Sequence, residues 1–315
     1  MTVRPTVPPK LSSRAVAAAA LLSALALTAC DEGPPSATVG NSHPSTAVPG
    51  QDSAYPRYVA LGDSYTAAPG VPQTEQETGC LRSNGNYASL VAHQLKSSFV
   101  DVSCVGASTV ALAGAQQLSN QVAPPQLSAL SADTSLVTLG IGGNDLELFT
   151  TMIGTCGQLG LSDADGAPCR DYMRHAGKDD GDLLVQKIGK IRGRLVAALK
   201  AIHDRSPKAE VVLVGYPQPI PARNTCRILP LAKGDYGYVR GLVVRLDEAM
   251  RQAAKKAKAQ YVSVLAASRG HDICAGRDAW VNGVNTDLMR ALAFHPFAEE
   301  QQAVADLVMK KLDKP

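Results

Sequence analysis

The sequence predicts an α/β protein, a three-layer α/β/α sandwich around a five-stranded parallel sheet. Two observations predict it. Five short segments are β-branched or continuously apolar, the pattern of strands buried on both faces. Between them lie longer stretches with apolar residues three or four apart, the pattern of amphipathic helices. Strands and helices that alternate along a chain build parallel sheets through crossovers, with helices covering both faces.

In chain order the strand segments are 57–61, 100–105, 135–140, 210–215 and 261–265. The helical patterns cover 86–96, 183–203, 238–257 and 298–312, and in the third Leu242, Leu246 and Met250 fall on one face. The stretch 149–182 holds two cysteines, several glycines and aspartates, and weak periodicity, so it reads as an excursion over the surface rather than a second domain. No internal repeat is evident. One domain is therefore expected at 55–315, and 45% hydrophobic residues supply a sizeable core for it.

The segment ahead of this domain has a different composition. Arg4, Lys10 and Arg14 precede an apolar run at 15–29, too short to span a bilayer as a mature helix, so 1–29 reads as a signal peptide. The run closes on Leu27-Thr28-Ala29-Cys30, which resembles the bacterial lipobox, where cleavage leaves a cysteine that carries lipid. Buried acyl methylenes contribute about 0.8 kcal/mol each to such a tether. Residues 30–54 are rich in Pro, Ser, Gly and Thr and read as a disordered linker. The expected place is outside the cell, anchored to a bacterial membrane through Cys30.

Charge argues against a nucleic-acid partner. The chain has 31 basic and 28 acidic residues, and removal of Arg4, Lys10 and Arg14 with the signal brings the mature chain to neutrality. The one dense basic run, AKKAKA at 254–259, falls on a helical pattern and reads as a solvated face. Setting Cys30 aside leaves Cys80, Cys104, Cys156, Cys169, Cys226 and Cys274. An even number without metal-ligand spacing in an exported chain favours disulfides. Of the possible pairings, the sequential one (80 with 104, 156 with 169, 226 with 274) is preferred because it clips three local loops. His43, His93, His175, His203 and His271 share no ligand spacing, so neither metal nor cofactor is expected.

Ligands of open parallel sheets bind beyond the carboxyl ends of the strands. Four positions there could supply acyl-transfer chemistry, which needs a hydroxyl, a base and oxyanion donors. Ser64 follows the first strand in YVALGDSY, Gly106 the second in CVGAST, Asn144 the third in GIGGND, and His295 precedes the last helix in FHPFAEE. Gly106 lets a substrate oxygen approach its N–H closely. Asn144 offers a donor that is neutral at every relevant pH. Asp63 and Asp145 read as loop hydrogen-bonders. The G-x-S-x-G elbow is absent because Thr66 stands at its second glycine, which disfavours an α/β-hydrolase.

These four blocks, in this chain order, resemble the SGNH (GDSL) hydrolase family, and the sequence is similar to its secreted actinobacterial esterase and lipase branch. The resemblance implies a flavodoxin-like fold, a nucleophilic Ser64, a base at His295, and an oxyanion hole made of the Ser64 N–H, the Gly106 N–H and the Asn144 amide. It departs from the pattern where many members have an aspartate three residues before the histidine, since Leu292 stands there. A backbone carbonyl, that of Leu292 or Ala293, is then expected to orient the imidazole, with Asp287 or another acid folding back as the rival. The implied activity is hydrolysis of carboxylic esters through an acyl-enzyme by a monomer. The alternatives are a carbohydrate O-acetylesterase or a non-catalytic envelope-binding lipoprotein. With 4% aromatic residues and Trp280 as the single tryptophan, an aromatic sugar platform has little support.

Overall fold

The computed structural model describes residues 53–313; the signal peptide expected at 1–29, Cys30 and nearly all of the linker expected at 30–54 lie outside them. Strand β1 (Arg57–Gly62) leads into the short helix α1 (Ser64–Ala67), and α2 (Tyr87–Leu95) leads into β2 (Ser98–Asp101). Then come α3 (Val110–Ala113), a hairpin of two short strands, β3 (Gln116–Gln117) and β4 (Val122–Ala123), and β5 (Leu136–Gly140). The excursion holds α4 (Cys156–Gly160) and α5 (Pro168–Met173). The chain continues through α6 (Leu183–Arg205), β6 (Glu210–Val214), α7 (Tyr236–Ala257), β7 (Gln260–Val262) and α8 (Ala298–Leu312). The main sheet is five-stranded and parallel throughout, in the order β2-β1-β5-β6-β7.

Period-two alternation sends side chains to opposite faces of each strand. Val59, Leu61, Val137, Leu139, Val211 and Leu213 join one core cluster, while Tyr58, Ala60, Leu136, Val212 and Val214 join the other. The first cluster is closed by α6 and α7, whose buried stripes include Ile191, Leu195, Leu242 and Leu246. The second is closed by α2 and α8 through Val91, Val304 and Val308. Each fully buried aliphatic side chain contributes about 1.5–3 kcal/mol, so these two faces hold the three layers together. Local signals set the helix ends: Asn86 caps α2 by accepting the Ser89 N–H at 2.8 Å, and Asp182 caps α6 by accepting the Val185 N–H at 3.0 Å.

Two strands are shorter and shifted relative to expectation. The second occupies Ser98–Asp101 rather than 100–105, because the Asp101 carboxylate accepts the Ser103 N–H at 2.9 Å and turns the chain. The edge contact persists beyond it through the Val102 and Cys104 N–H groups, which reach the Ala60 and Gly62 carbonyls. The fifth ends at Val262 rather than residue 265, since the Ser263 hydroxyl turns to the Asp247 carboxylate at 2.7 Å. The excursion is more ordered than its weak periodicity suggested, opening with a π-helical turn at Thr150–Thr155. Disulfides join Cys80 to Cys104, Cys156 to Cys169 and Cys226 to Cys274. Among the described residues no helix is long and apolar enough to cross a membrane, and no cluster of three metal-ligating side chains occurs.

Candidate active site

Ser64 is placed by a sharp strand-to-helix turn. Gly62 ends β1 where a Cβ would come within 2.7 Å of the Gly140 carbonyl oxygen, so only glycine permits the close approach of β1 and β5 there. Asp63 then caps α1, its carboxylate accepting the Tyr65 N–H at 2.9 Å. Ser64 is the first residue of α1, and a first-turn N–H has no intrahelical partner, which leaves it free for an oxygen in front of the helix. The residue is 6% exposed and borders a cavity of about 310 Å³ that Asn144 and His295 also line.

Asn144 arrives from the loop after β5. Its Nδ2 donates to the Ala107 carbonyl at 3.0 Å, which uses one of two amide hydrogens and leaves the other. The next residue anchors the loop: the fully buried Asp145 carboxylate accepts the Thr109 N–H at 2.8 Å and an Arg194 guanidinium N–H at 2.9 Å. The Asn144 loop, the Gly106 loop and α6 are thereby held as one unit. Gly106 sits at φ +75°, in the left-handed region that favours glycine. It is exposed and adjoins the Ala107 carbonyl that holds Asn144, but it is not part of the cavity lining.

His295 comes from the long connection between β7 and α8. Its Nδ1 lies 2.7 Å from the Ala293 carbonyl oxygen. A carbonyl only accepts, so Nδ1 carries the proton and Nε2 keeps its lone pair. Burial lowers the imidazole below its ordinary value, while the Ala293 carbonyl acts in the opposite direction. Of the two expected carbonyls, Leu292 does not serve the ring: it accepts the His295 backbone N–H at 3.1 Å and the Asn282 amide at 3.2 Å. Asp287 does not fold back either. It is exposed, and its carboxylate accepts the Met289 N–H at 3.0 Å within its own turn.

The sequence reading does not single out Tyr216. Its hydroxyl donates to the Asp63 carboxylate at 2.5 Å and accepts the Gly143 N–H at 2.8 Å, bridging the residue before Ser64 to the residue before Asn144. Burial pushes the Asp63 carboxyl up to about 7, against the lowering effect of the Tyr216 and Tyr65 hydrogen bonds. Asp63 and Asp145 are thus the loop hydrogen-bonders the sequence suggested. Tyr216 follows β6 at the carboxyl edge, and the same edge rule that drew attention to Ser64 points to it. Apart from Thr150, the rest of the cavity is mainly apolar, with Phe149, Met152, Ile153, Ile220, Val243 and Ile273 among its walls.

Residues 60–303 match the model of the GDSL-like Lipase/Acylhydrolase family. The chain is 39% identical over 233 residues to Lipase 2 of Streptomyces coelicolor, covering 72% of this chain and 76% of that protein. It is 30% identical over 259 residues to Lipase 1 of the same organism, covering 82% and 87% of the two. Among solved structures it is similar to phospholipase A1 from Streptomyces albidoflavus NA297, with a TM-score of 0.67, 28% identity, and coverage of 82% of this chain and all of that one.

Proposed function

From the premise that this chain belongs to the GDSL-like lipase/acylhydrolase family and is an ester hydrolase, we propose that it cleaves esters of medium-to-long acyl chains through an acyl-enzyme on Ser64. One observation carries the reading: Ser64, Asn144 and His295, drawn from three separate loops, border a single apolar cavity. In the proposed mechanism His295 Nε2 takes the proton of the Ser64 hydroxyl as its oxygen attacks the ester carbonyl carbon. Negative charge develops on the carbonyl oxygen and is met by the Ser64 N–H, the Gly106 N–H and the free Asn144 amide hydrogen. The imidazolium returns its proton to the leaving alkoxide, the C–O bond breaks and the acyl-enzyme remains. Water, deprotonated by His295, then attacks the acyl carbon and releases the acid and the serine.

The Ala293 carbonyl orients the imidazole in this scheme, so a Ser-His dyad replaces the triad. A neutral carbonyl stabilises the imidazolium less than a buried carboxylate does. The apolar lining supports an acyl tail as the occupant of the cavity. The sugar-ester alternative has little support there: Trp280 stacks on His271, with ring centroids 4.4 Å apart, and neither ring lines the cavity. The proposed setting is extracellular, with Cys30 as a lipid anchor after removal of 1–29, supported by the lipobox-like sequence and by three disulfides in the described residues.

A serine-directed phosphonate tests the mechanism. Label is expected on Ser64 and on no residue of Ser64→Ala, whose kcat falls about ten-thousandfold or more. Asn144→Ala is expected to lose about 100-fold in kcat. On p-nitrophenyl esters of graded chain length, kcat/KM should rise from acetate toward medium and long acyl groups; a maximum at acetate would overturn the substrate assignment. Mass spectrometry of the mature N-terminus checks the anchor.

A further inference from the structure

Large apolar side chains are exposed at several places among the described residues, Leu161 and Val110 included, but two consecutive ones stand out together only beside the cavity wall. Leu288 and Met289 are 78% and 83% exposed. They sit at the tip of a tight turn in which the Asp287 and Ala291 backbones exchange hydrogen bonds of 3.0 and 2.8 Å. The Asn282 amide braces this turn, donating to the carbonyls of Asn285, Ala291 and Leu292 at 2.8, 3.0 and 3.2 Å. The Ala293 N–H donates to Thr286 Oγ1 at 3.1 Å, and the Asn282 N–H donates to the His295 carbonyl at 2.9 Å. Ala293, Phe294 and His295 themselves line the cavity. A neighbouring loop adds Ile228, whose carbonyl accepts the Val284 N–H at 3.0 Å; Ile228 and Val284 are 41% and 42% exposed.

Turn tips ordinarily carry small or polar residues, and two bulky apolar side chains held out on a braced turn mark a contact surface. The surrounding charge narrows the partner. Segments 222–228 and 284–292 carry Arg223, Arg227 and Arg290 against a single acid, Asp287. Arg290 lies 4.0 Å from Glu299, whereas Arg223 and Arg227 are exposed and form no ion pair among the described residues.

We infer that the 287–291 turn, with Ile228 and Val284, is the surface by which this protein docks on an anionic phospholipid layer. Leu288 and Met289 enter the boundary between headgroups and acyl chains, and Arg223 and Arg227 meet the phosphates. The choice of a lipid layer over another partner rests on the acyl-ester reading above, because docking through this turn brings the cavity wall to the layer that holds such substrates.

Co-sedimentation of the full chain with vesicles tests this, using Cys30→Ser as the background so that no lipid on that cysteine contributes. The parent should bind phosphatidylglycerol vesicles more tightly than phosphatidylcholine vesicles. Leu288→Ser with Met289→Ser should weaken binding to both by about tenfold or more. Its kcat/KM on soluble p-nitrophenyl butyrate should stay within about twofold of the parent, which also shows that it folds. Arg223→Gln with Arg227→Gln should remove only the preference for the anionic vesicles, and it keeps the question open to test if the first variant fails to accumulate. Unchanged vesicle binding by the Leu288/Met289 variant overturns the inference. So does a parent that binds neither vesicle, or a concentration-dependent dimer that the variant abolishes. Vesicle binding that persists in a protein with no esterase activity supports the docking surface while counting against the proposed mechanism.

Discussion

Tyr216 spans two loops that come from different strands, and Tyr216→Phe removes a single oxygen while keeping the ring that packs on Tyr65 and Phe149. Without it the Gly143 N–H loses its acceptor and the Asp63 carboxylate loses a donor. Asp63 titrates near 7 because burial raises it, and losing a donor to its charged form raises it further. His295 is shifted the other way, below the ordinary imidazole value, so it stays neutral and able to act as base to lower pH. On a soluble ester, the acid limb of kcat/KM should therefore fall below the ordinary imidazole value of 6.5, with a second inflexion near 7 from Asp63. In Tyr216→Phe the upper inflexion should move to higher pH while the lower one stays; Asp63→Asn should abolish the upper one alone. A kcat reduced about tenfold with KM unchanged would mark Tyr216 as a positioning residue, whereas a variant that only melts earlier, with an unaltered pH profile, would make it merely structural. The positions of Ser64, Asn144 and His295 were legible in the sequence because each lies in a short motif beside a recognisable element. The Tyr216 bridge was not, since a hydrogen bond between residues 153 apart leaves no local pattern.

At the scale of elements, α8 is the case where sequence and structure agree to the residue, because its apolar spacing is clean and Pro296 stands just ahead of it. The π-turn at Thr150–Thr155 left no comparable period. Helix α8 also carries a buried acid that its pattern did not betray. Glu300 is 2% exposed, and the neighbouring Gln301 amide donates to it at 2.6 Å while also donating to the Tyr65 carbonyl at 3.1 Å. Burial pushes Glu300 up to about 8 from an ordinary 4.5. A carboxyl raised in the folded state binds its proton more tightly there than in the unfolded chain. Its contribution to stability is full below about 4.5 and is lost as pH rises toward 8. Glu300→Gln removes this titration with little change of shape. Denaturant midpoints should show the variant more stable than the parent at pH 8 and little different at pH 4, with the gap opening by at most about 1.4 kcal/mol per pH unit. A gap of equal size at both pH values would show that Glu300 acts through packing instead.

For the whole molecule, the layers and strand count were legible because buried parallel strands and amphipathic helices have distinct periods, and the cysteine count pointed to three crosslinks whose observed partners are sequential neighbours. Which crosslink matters most is a question about the unfolded chain. A bond between residues 48 apart, as for Cys226 and Cys274, removes more loop entropy than one across 24 or 13 residues. On chain-entropy grounds the losses on double Cys→Ser replacement run from about 3 kcal/mol for the shortest loop to about 4 kcal/mol for the longest. Local structure adds a second distinction. The Cys226 bond holds the loop of Ile228, against which Gly283 packs, and the Gly283 carbonyl accepts the Phe294 N–H one residue before His295. Cys226→Ser with Cys274→Ser should therefore lower both the denaturant midpoint and kcat at temperatures well below melting. Cys156→Ser with Cys169→Ser should affect the midpoint least. If the 156–169 pair proves the most costly to remove, the native packing of the excursion, where both cysteines are buried, outweighs loop closure in setting the stability of this fold.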